Sequence, residues 1–189
     1  SALVAAARLP RRARPRANRA TRRSADLLRE EPPVDAARIA DLEEIKRLKA
    51  RYFRLMDCKL WDEWGDVFTE DCTMANAAPG DPPTVGRASI VAFVRKAIDH
   101  MITTHHGHMP EIEFTSPDEA TGIWAMYDYL EAPGYDMKGW GHYHETYRRC
   151  ADGRWRIAST RLTRLRVESS NRAVRDMLWP EGKRLKSWA

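Results

Sequence analysis

Four stretches in the second half of the chain decide its fold: THHGHMPEIEF at residues 104–114, EATGIWAMYDYLEA at 119–132, GWGHYHETYRRC at 139–150 and RWRIASTRLTRLRV at 154–167. Each is rich in β-branched and aromatic residues and is separated from the next by proline, glycine or Asp-Gly, which is typical of strands joined by turns. Asp152-Gly153 predicts a tight hairpin. Because strands of this length twist and coil, we predict a strongly curved antiparallel sheet.

Helical periodicity precedes these strands. Asp35 follows Pro32-Pro33 and suits the N-cap of a long helix. The apolar residues of this helix recur every three or four positions, as expected for one buried face, and they are Ile39, Leu42, Ile45, Leu48, Tyr52, Leu55 and Met56.

Two further helices are predicted before the strands. A short one runs from Trp61 to Phe68, and a short strand opens at Asp71-Cys72. The loop AAPGDPPTVG at residues 77–86 has two glycines and three prolines and predicts a turn-rich flap. The third helix, Ser89 to Met101, is expected to bury Ile90, Phe93, Val94, Ala97 and Ile98. Three helices and four long strands indicate an α+β domain whose helices cover the concave side of the sheet.

The composition restricts the class of protein. The 189 residues are 43% apolar, and no window approaches the roughly 20 apolar residues that a membrane span requires. A chain of this length has room for one domain, so we predict a single soluble domain at residues 35–168. Cys58, Cys72 and Cys150 lie far apart, which indicates neither a disulfide framework nor a zinc site and favours a reducing cytoplasm.

A basic arm, residues 1–34, precedes the domain. Residues 1–31 carry nine arginines and three acids, a net charge of +6, whereas the whole chain is only +5. The pI of 9.3 therefore describes the arm, and nucleic acid is not an expected partner of the domain. The composition of the arm is shared by dispensable or interface arms, targeting segments and polyanion-binding arms, and it does not separate them.

Several motifs carry a resemblance to a known family: Y-x4-D at Tyr52 and Asp57, WDEWGDVFTEDC at 61–72, G-R-x-x-I at 86–90, TTHH at 103–106, GWGHYHETY at 139–147 and DGRWRI at 152–157. In this order and spacing, residues 36–167 resemble the SnoaL-like branch of the nuclear transport factor two-like superfamily, nearest to bile-acid and scytalone dehydratases. The resemblance implies a cone-shaped, cystatin-like α+β barrel in which N-terminal helices close the curved sheet. It also implies an activity that needs no cofactor.

The dehydratases that the chain resembles have a polar cluster of Tyr, Asp, His, a second Asp and Arg inside the cone. Carried over by position, the cluster would be Tyr52, Asp57, His105, Asp128 and Arg164. By the residues alone, Tyr52 could equally be a core aromatic and Asp57 a helix cap.

Strand alternation supports one member of this cluster. Asp128 shares a face of its strand with Trp124 and Met126. A carboxylate among apolar groups must pair or hydrogen-bond, and its pKa then shifts, as is common for acid–base residues. His108 and His106 are the alternatives to His105 as the base, because the choice of His105 depends on the alignment with the family motif.

Further residues are predicted to contact the substrate, namely His108, Trp124, Met126, His142 and Trp64. The spacing of His142 and His144 would also permit a metal site. However, no H-E-x-x-H occurs, and Arg148 stands where a cupin-like site would have its glutamate. We therefore predict no metal ion.

Two functional hypotheses follow. The first is a cofactor-independent lyase (dehydratase) or isomerase acting on a small apolar steroid-, terpenoid- or polyketide-like substrate. In it, His105 with Asp128 moves a proton α to a carbonyl, and the remaining three residues stabilise the developing oxyanion or help a hydroxyl leave. The second is a non-catalytic ligand-binding or assembly module, because one fold hosts many tasks.

The tail, residues 169–189, is predicted to be helical and to lie in an interface between subunits. Its apolar side chains would otherwise form an exposed patch, and they are Val174, Met177, Leu178, Trp179, Leu185 and Trp188. Because the dehydratases that the chain resembles form trimers and other members of the superfamily form dimers, we predict a homo-oligomer, a trimer rather than a dimer.

Overall fold

Helices and strands occupy most of residues 36–75 and 82–178, which are the residues that the computed structural model describes. In chain order the elements are α1 (Ala36–Asp57), α2 (Trp61–Gly65), β1 (Phe68–Met74), β2 (Thr84–Val85), α3 (Arg87–Ile98), β3 (Ile102–Phe114), β4 (Glu119–Ala132), β5 (Tyr135–Arg149), β6 (Trp155–Ser169) and α4 (Arg172–Leu178). The predicted α+β class is confirmed, and the four long strands lie where their sequence patterns place them.

All six strands belong to one curved sheet in the order β2-β1-β6-β5-β4-β3. The predicted curved antiparallel sheet is confirmed for the four long strands β3 to β6, and the short strand β1 joins it parallel to β6. A parallel neighbour requires a crossover connection, and here β1 and β6 are separated along the chain by one helix and four strands. The sheet is open, with β2 and β3 as its edges, so it curves around the helices without closing into a barrel.

Helix α1 packs its apolar stripe into the concave side of the sheet. Ile45, Leu48 and Met56 are between 0% and 3% exposed, as their spacing predicts. The stripe starts later than expected, because Ile39 is 53% exposed. Near that first turn, Arg38 donates to the carbonyl oxygen of Ser116 at 3.2 Å, so a polar contact takes the place of apolar burial.

Helix α3 buries less than its sequence predicts. Ile90 is fully buried, and Val94 and Ile98 pack partly against the core. Phe93 is 48% exposed and Ala97 is also exposed, so the prediction that they are buried is wrong. The buried face of the helix is formed by Ile90, Val91, Val94 and Ile98, and Phe93 and Ala97 lie at one margin of that face, where the helix is exposed to solvent.

The remaining boundaries differ slightly from the predictions. Phe68 begins β1 and does not end α2, because it pairs with Ile157 of β6. In the predicted flap, Thr84–Val85 form β2, and residues 76–81 lie outside the described residues. Residues 172–178 of the tail are helical; the rest of the tail from residue 179, and the arm, also lie outside the described residues. None of the described helices is both long and apolar enough to cross a bilayer.

Candidate active site

The inner face of the sheet presents alternate residues of each long strand. On β4, Trp124, Met126 and Asp128 are between 2% and 5% exposed, whereas Ile123 faces outward at 38%. This alternation is the one that the sequence predicts. It places a carboxylate on the concave surface that faces α1.

A carboxylate–imidazole pair forms where α1 meets the edge strand β3. Oδ1 of Asp57, the last residue of α1, lies 2.6 Å from Nδ1 of His105. The other carboxylate oxygen accepts the backbone N–H of His105 at 2.8 Å. Their side chains are 20% and 8% exposed, so the pair is largely desolvated but reaches the surface. Because Nδ1 is engaged by Asp57, Nε2 is the ring nitrogen that can exchange a proton with a ligand.

Two further groups hold the Asp57 carboxylate. Thr103 donates its hydroxyl to Oδ1 at 2.8 Å, and Lys59 donates to that hydroxyl oxygen at 2.8 Å. Burial by itself would raise the pKa of Asp57, but the hydrogen bonds from His105 and Thr103 outweigh it and lower that pKa. Asp57 therefore stays ionised and favours a proton on Nδ1 of His105.

A second pair lies beside the first on the inner face. Nη1 and Nη2 of Arg164 each donate to one oxygen of Asp128, both at 2.7 Å. The carboxylate is 3% exposed and the guanidinium 13%. This bidentate geometry is the strongest form of the interaction and fixes the orientation of both side chains.

Gly139 makes room for that pair. It is the register partner of Asp128 on β5, and a Cβ at this position would clash with Arg164 Nη1 and Asp128 Oδ1. The first glycine of the GWG sequence in β5 is therefore required for the packing of the Asp128–Arg164 pair.

Replacing Gly139 by alanine is therefore expected to displace the Asp128–Arg164 pair and to lower the free energy of unfolding by about 1–3 kcal/mol. Urea denaturation measures the change. Gly65→Ala is the matched control, because the nearest atom to its Cβ is Val91 Cγ2 at 3.4 Å, an ordinary contact. Equal losses of stability in the two variants would contradict the packing role of Gly139.

His105 and Asp128, predicted to act together in proton transfer, are register partners on β3 and β4, so their side chains lie next to each other on the same face. Their hydrogen-bond partners are Asp57 and Arg164 respectively. The contact of His105 with Asp57 depends on the helix end that brings Asp57 to the sheet, which cannot be read from strand alternation. The joint role of His105 and Asp128 stays a prediction.

Tyr52 lies deeper than the other predicted residues. It is 4% exposed, and its ring packs against Phe53, Trp64, Phe68 and Tyr143, with 5.9 Å between the Tyr52 and Tyr143 centroids. Burial raises the pKa of both Tyr52 and Tyr143, and the Asp128 charge raises that of Tyr143 further. Both phenols therefore remain protonated and can act only as hydrogen-bond donors to a negative group.

A buried ion pair was missed by the sequence reasoning. Lys49 and Glu145 are both 0% exposed at their side chains, with 2.6 Å between Nζ and Oε1. Glu145 lies on the inner face of β5, between Tyr143 and Tyr147. The signals were present, because Lys49 falls between Ile45 and Tyr52 on the apolar stripe of α1, and Glu145 alternates with two tyrosines.

Three of the residues predicted to contact substrate lie away from the cluster. His108 and His142 project from the outer face, where the ring of His108 makes an edge contact with His106 and that of His142 a tilted contact with His144, with ring centroids 6.0 and 6.3 Å apart. Strand alternation puts them opposite His105. Trp64 is 0% exposed and is enclosed by the core, so it offers no surface to a ligand.

No group of three or more His, Cys, Asp or Glu side chains is arranged to hold a metal ion in residues 36–75 and 82–178. The outer-face histidines contact each other in pairs. In the same described residues, no carboxylate joins either pair to complete a set of three metal ligands.

Three depressions lie elsewhere on the described part of the protein. Two of them are on the outer face. The first, of about 680 Å³, is lined by Tyr127 and Trp140. The second, of about 480 Å³, is lined by Ile123 and His144. A third of about 280 Å³ lies beside α1 and α2. Asp57, His105, Asp128 and Arg164 line none of the three, and a closed pocket over these four residues stays a prediction.

The cluster has the parts that proton transfer requires. An imidazole oriented by a carboxylate can take up and return a proton near neutral pH. A guanidinium and two protonated phenols nearby can stabilise negative charge that develops on an oxygen atom. These groups come from α1, β3, β4, β5 and β6, so the whole concave face contributes to them.

Comparison with known proteins gives consistent matches. A family model described as a SnoaL-like domain matches residues 37–161. The protein named "Probable cyclase FGR4" from Gibberella zeae is 30% identical over 135 residues, which are 64% of this chain and 89% of that protein.

Solved structures show the same fold. A candidate scytalone dehydratase from Novosphingobium aromaticivorans is 23% identical, with a TM-score of 0.62 over 69% of this chain and 87% of its own. A type 2 hexachlorocyclohexane dehydrochlorinase, LinA, is 18% identical, with a TM-score of 0.62 over 71% and 92% of the two chains. At these identities the likeness is one of fold.

Proposed function

Because this chain belongs to the family of SnoaL-like domains, we propose that it is a cofactor-independent lyase or isomerase that works by acid–base chemistry. The observation that carries the proposal is the Asp57–His105 pair beside the Asp128–Arg164 pair on one face of the sheet. The substrate class is a small apolar molecule of the steroid, terpenoid or polyketide type that has a carbonyl group.

In the proposed reaction, Nε2 of His105 removes a proton from the carbon α to the carbonyl, and the electron pair of that C–H bond moves towards the carbonyl oxygen. Asp57 stabilises the imidazolium that forms. Arg164 and Tyr52 stabilise the enolate oxygen. The enolate then collapses with loss of a β-hydroxyl, which the imidazolium protonates to water; in a substrate with a β,γ double bond, the dienolate instead takes the proton back at the γ carbon. The first outcome is dehydration and the second is isomerisation.

The names of the similar proteins support this reaction type. A cyclase, a candidate dehydratase and a dehydrochlorinase stand among them. Dehydration and dehydrochlorination both begin or end with the loss of a proton from carbon, which is the step assigned to His105. The substrate itself is not indicated by these names.

Proton exchange tests the proposal before the natural substrate is known. We expect the protein to catalyse exchange of the α-hydrogens of a panel of steroid, terpenoid and polyketide ketones for deuterium in heavy water, measured by mass spectrometry. Chelators should leave the rate unchanged. Exchange that continues at the wild-type rate in His105→Ala would contradict the assignment to His105, whereas a wild-type protein that exchanges none of these ketones would be better described as a non-catalytic binder.

Self-association as a trimer, in a cytoplasmic setting, is part of the same proposal. The outer face of the sheet supports association, because it exposes Ile102 (66%) and Ile123 (38%) and also carries the tilted ring pair of Tyr127 and Trp140. The three cysteines are free thiols, which fits a reducing compartment.

A further inference from the structure

Lys49 is buried in the interior of the domain together with its counter-ion. Its Nζ lies 2.6 Å from Glu145 Oε1, and neither side chain is exposed. Glu145 is fully engaged, because Oε1 also accepts the Thr160 hydroxyl at 3.0 Å and Oε2 accepts the Tyr147 hydroxyl at 2.6 Å. Burial lowers the pKa of Lys49, while the adjacent carboxylate favours the charged ammonium.

The same ammonium lies against aromatic faces. Nζ is 3.7 Å from the ring centroid of Tyr143, 3.9 Å from that of Tyr52 and 4.8 Å from that of Phe53. A cation this close to a desolvated ring is attracted by its π electrons. One lysine therefore contacts both phenols that lie next to the candidate active site.

Stability alone does not account for this arrangement. Two buried charges carry a large desolvation cost, and apolar side chains of similar volume often stabilise a fold as well or better. The ammonium is instead directed at two specific rings. Its effect on those rings is the feature that an apolar replacement would not reproduce.

We propose that Lys49 is a positioning residue that acts through Tyr52 and Tyr143, a role that rests on the proposed acid–base function. The ammonium holds the two rings in place and draws π electron density away from their hydroxyl groups, which makes those hydroxyls stronger donors. Tyr143 lies within the electrostatic influence of Asp128 and Arg164, where the enolate oxygen would form. Glu145, on the far side of Lys49, keeps the ammonium charged and orients it.

The double variant Lys49→Met/Glu145→Gln tests this role, because it removes both charges and nearly conserves volume. With tyrosine isotope-labelled at Cζ, nuclear magnetic resonance resolves the six tyrosines, and Tyr52→Phe and Tyr143→Phe assign two of them. We expect the Tyr52 and Tyr143 signals to move, while those of Tyr127 and Tyr129 on the outer face stay. Unmoved Tyr52 and Tyr143 signals would overturn the proposal.

Kinetics gives the second measurement. In the exchange assay, the double variant should lower kcat about tenfold with KM unchanged, less than the 10²- to 10³-fold lost when an oxyanion donor is deleted. Tyr147→Phe is the matched control, because it removes the hydrogen bonds that the Tyr147 hydroxyl makes with Glu145 and Trp124 but keeps the ammonium, and it should leave kcat and the two signals unchanged. An equal loss in the control would overturn the proposal, since any change to the core would then suffice. If the wild-type protein exchanges no ketone, the acid–base function fails, and the resonance shifts still decide whether Lys49 acts on the phenols.

Discussion

Replacing His105 by alanine is expected to lower turnover by about 10²- to 10⁴-fold, the usual contribution of general acid–base catalysis. Binding of the substrate should change much less, because the imidazole contributes mainly in the transition state. Asp57→Asn should cause much of the same loss, since the amide cannot stabilise the imidazolium and favours the wrong tautomer of the ring. Steady-state kinetics of the exchange reaction measures kcat and KM separately.

His142→Ala is the matched control for this experiment. His142 lies on β5, two strands away from β3, and on the outer face of the sheet, so its loss should leave turnover close to the wild-type value. Full activity in both His105→Ala and Asp57→Asn would remove the carboxylate–imidazole pair from the mechanism. Equal losses of turnover in His142→Ala and His105→Ala would mean that the loss does not depend on which face of the sheet the histidine occupies.

The second large effect concerns stability. Lys49→Met alone is expected to lower the free energy of unfolding by about 3–5 kcal/mol, because it leaves the buried Glu145 carboxylate without its counter-ion. Urea denaturation should show this as a lower midpoint. The double variant Lys49→Met/Glu145→Gln should recover most of the loss, because no uncompensated charge then remains.

An exposed pair on the same helix is the comparison. Lys46 Nζ lies 2.8 Å from Glu43 Oε1, but the two side chains are 40% and 50% exposed. Lys46→Met should change stability by no more than about 1 kcal/mol, as is usual for surface ion pairs. A similar loss of unfolding free energy in Lys46→Met and Lys49→Met would mean that the contribution of the Lys49–Glu145 pair to stability does not depend on its burial.

The strands and their faces could be predicted from the sequence because their period of two is strong and local. The alternation around Asp128 identifies an inner face, and Asp152-Gly153 identifies a turn, with Gly153 at φ 78°. The helix boundaries are less certain from sequence, since Phe68 suits a helix face as well as a strand. Phe68 is part of a strand because it pairs with Ile157, which is distant along the chain.

The partnerships within the candidate site depend on tertiary contacts that no local pattern encodes. The resemblance to a family could place Asp57 and His105 in one cluster, but which carboxylate contacts the imidazole depends on how the end of α1 meets β3. Lysine is a residue type usually found on the surface. Lys49 can be buried because Glu145, on a strand distant along the chain, supplies its counter-ion. Such long-range pairs have to be read from the folded structure.

The hydrogen bond from the His105 backbone N–H to Asp57 has a consequence for aggregation. β3 is an edge of the sheet, and an edge strand with unpaired backbone groups can recruit a strand from another molecule. Asp57 occupies one of those outward N–H groups and adds a negative charge beside it. The carboxylate that orients the His105 imidazole therefore also discourages strand addition, so a substitution of Asp57 would alter both the imidazole and the protection of this edge.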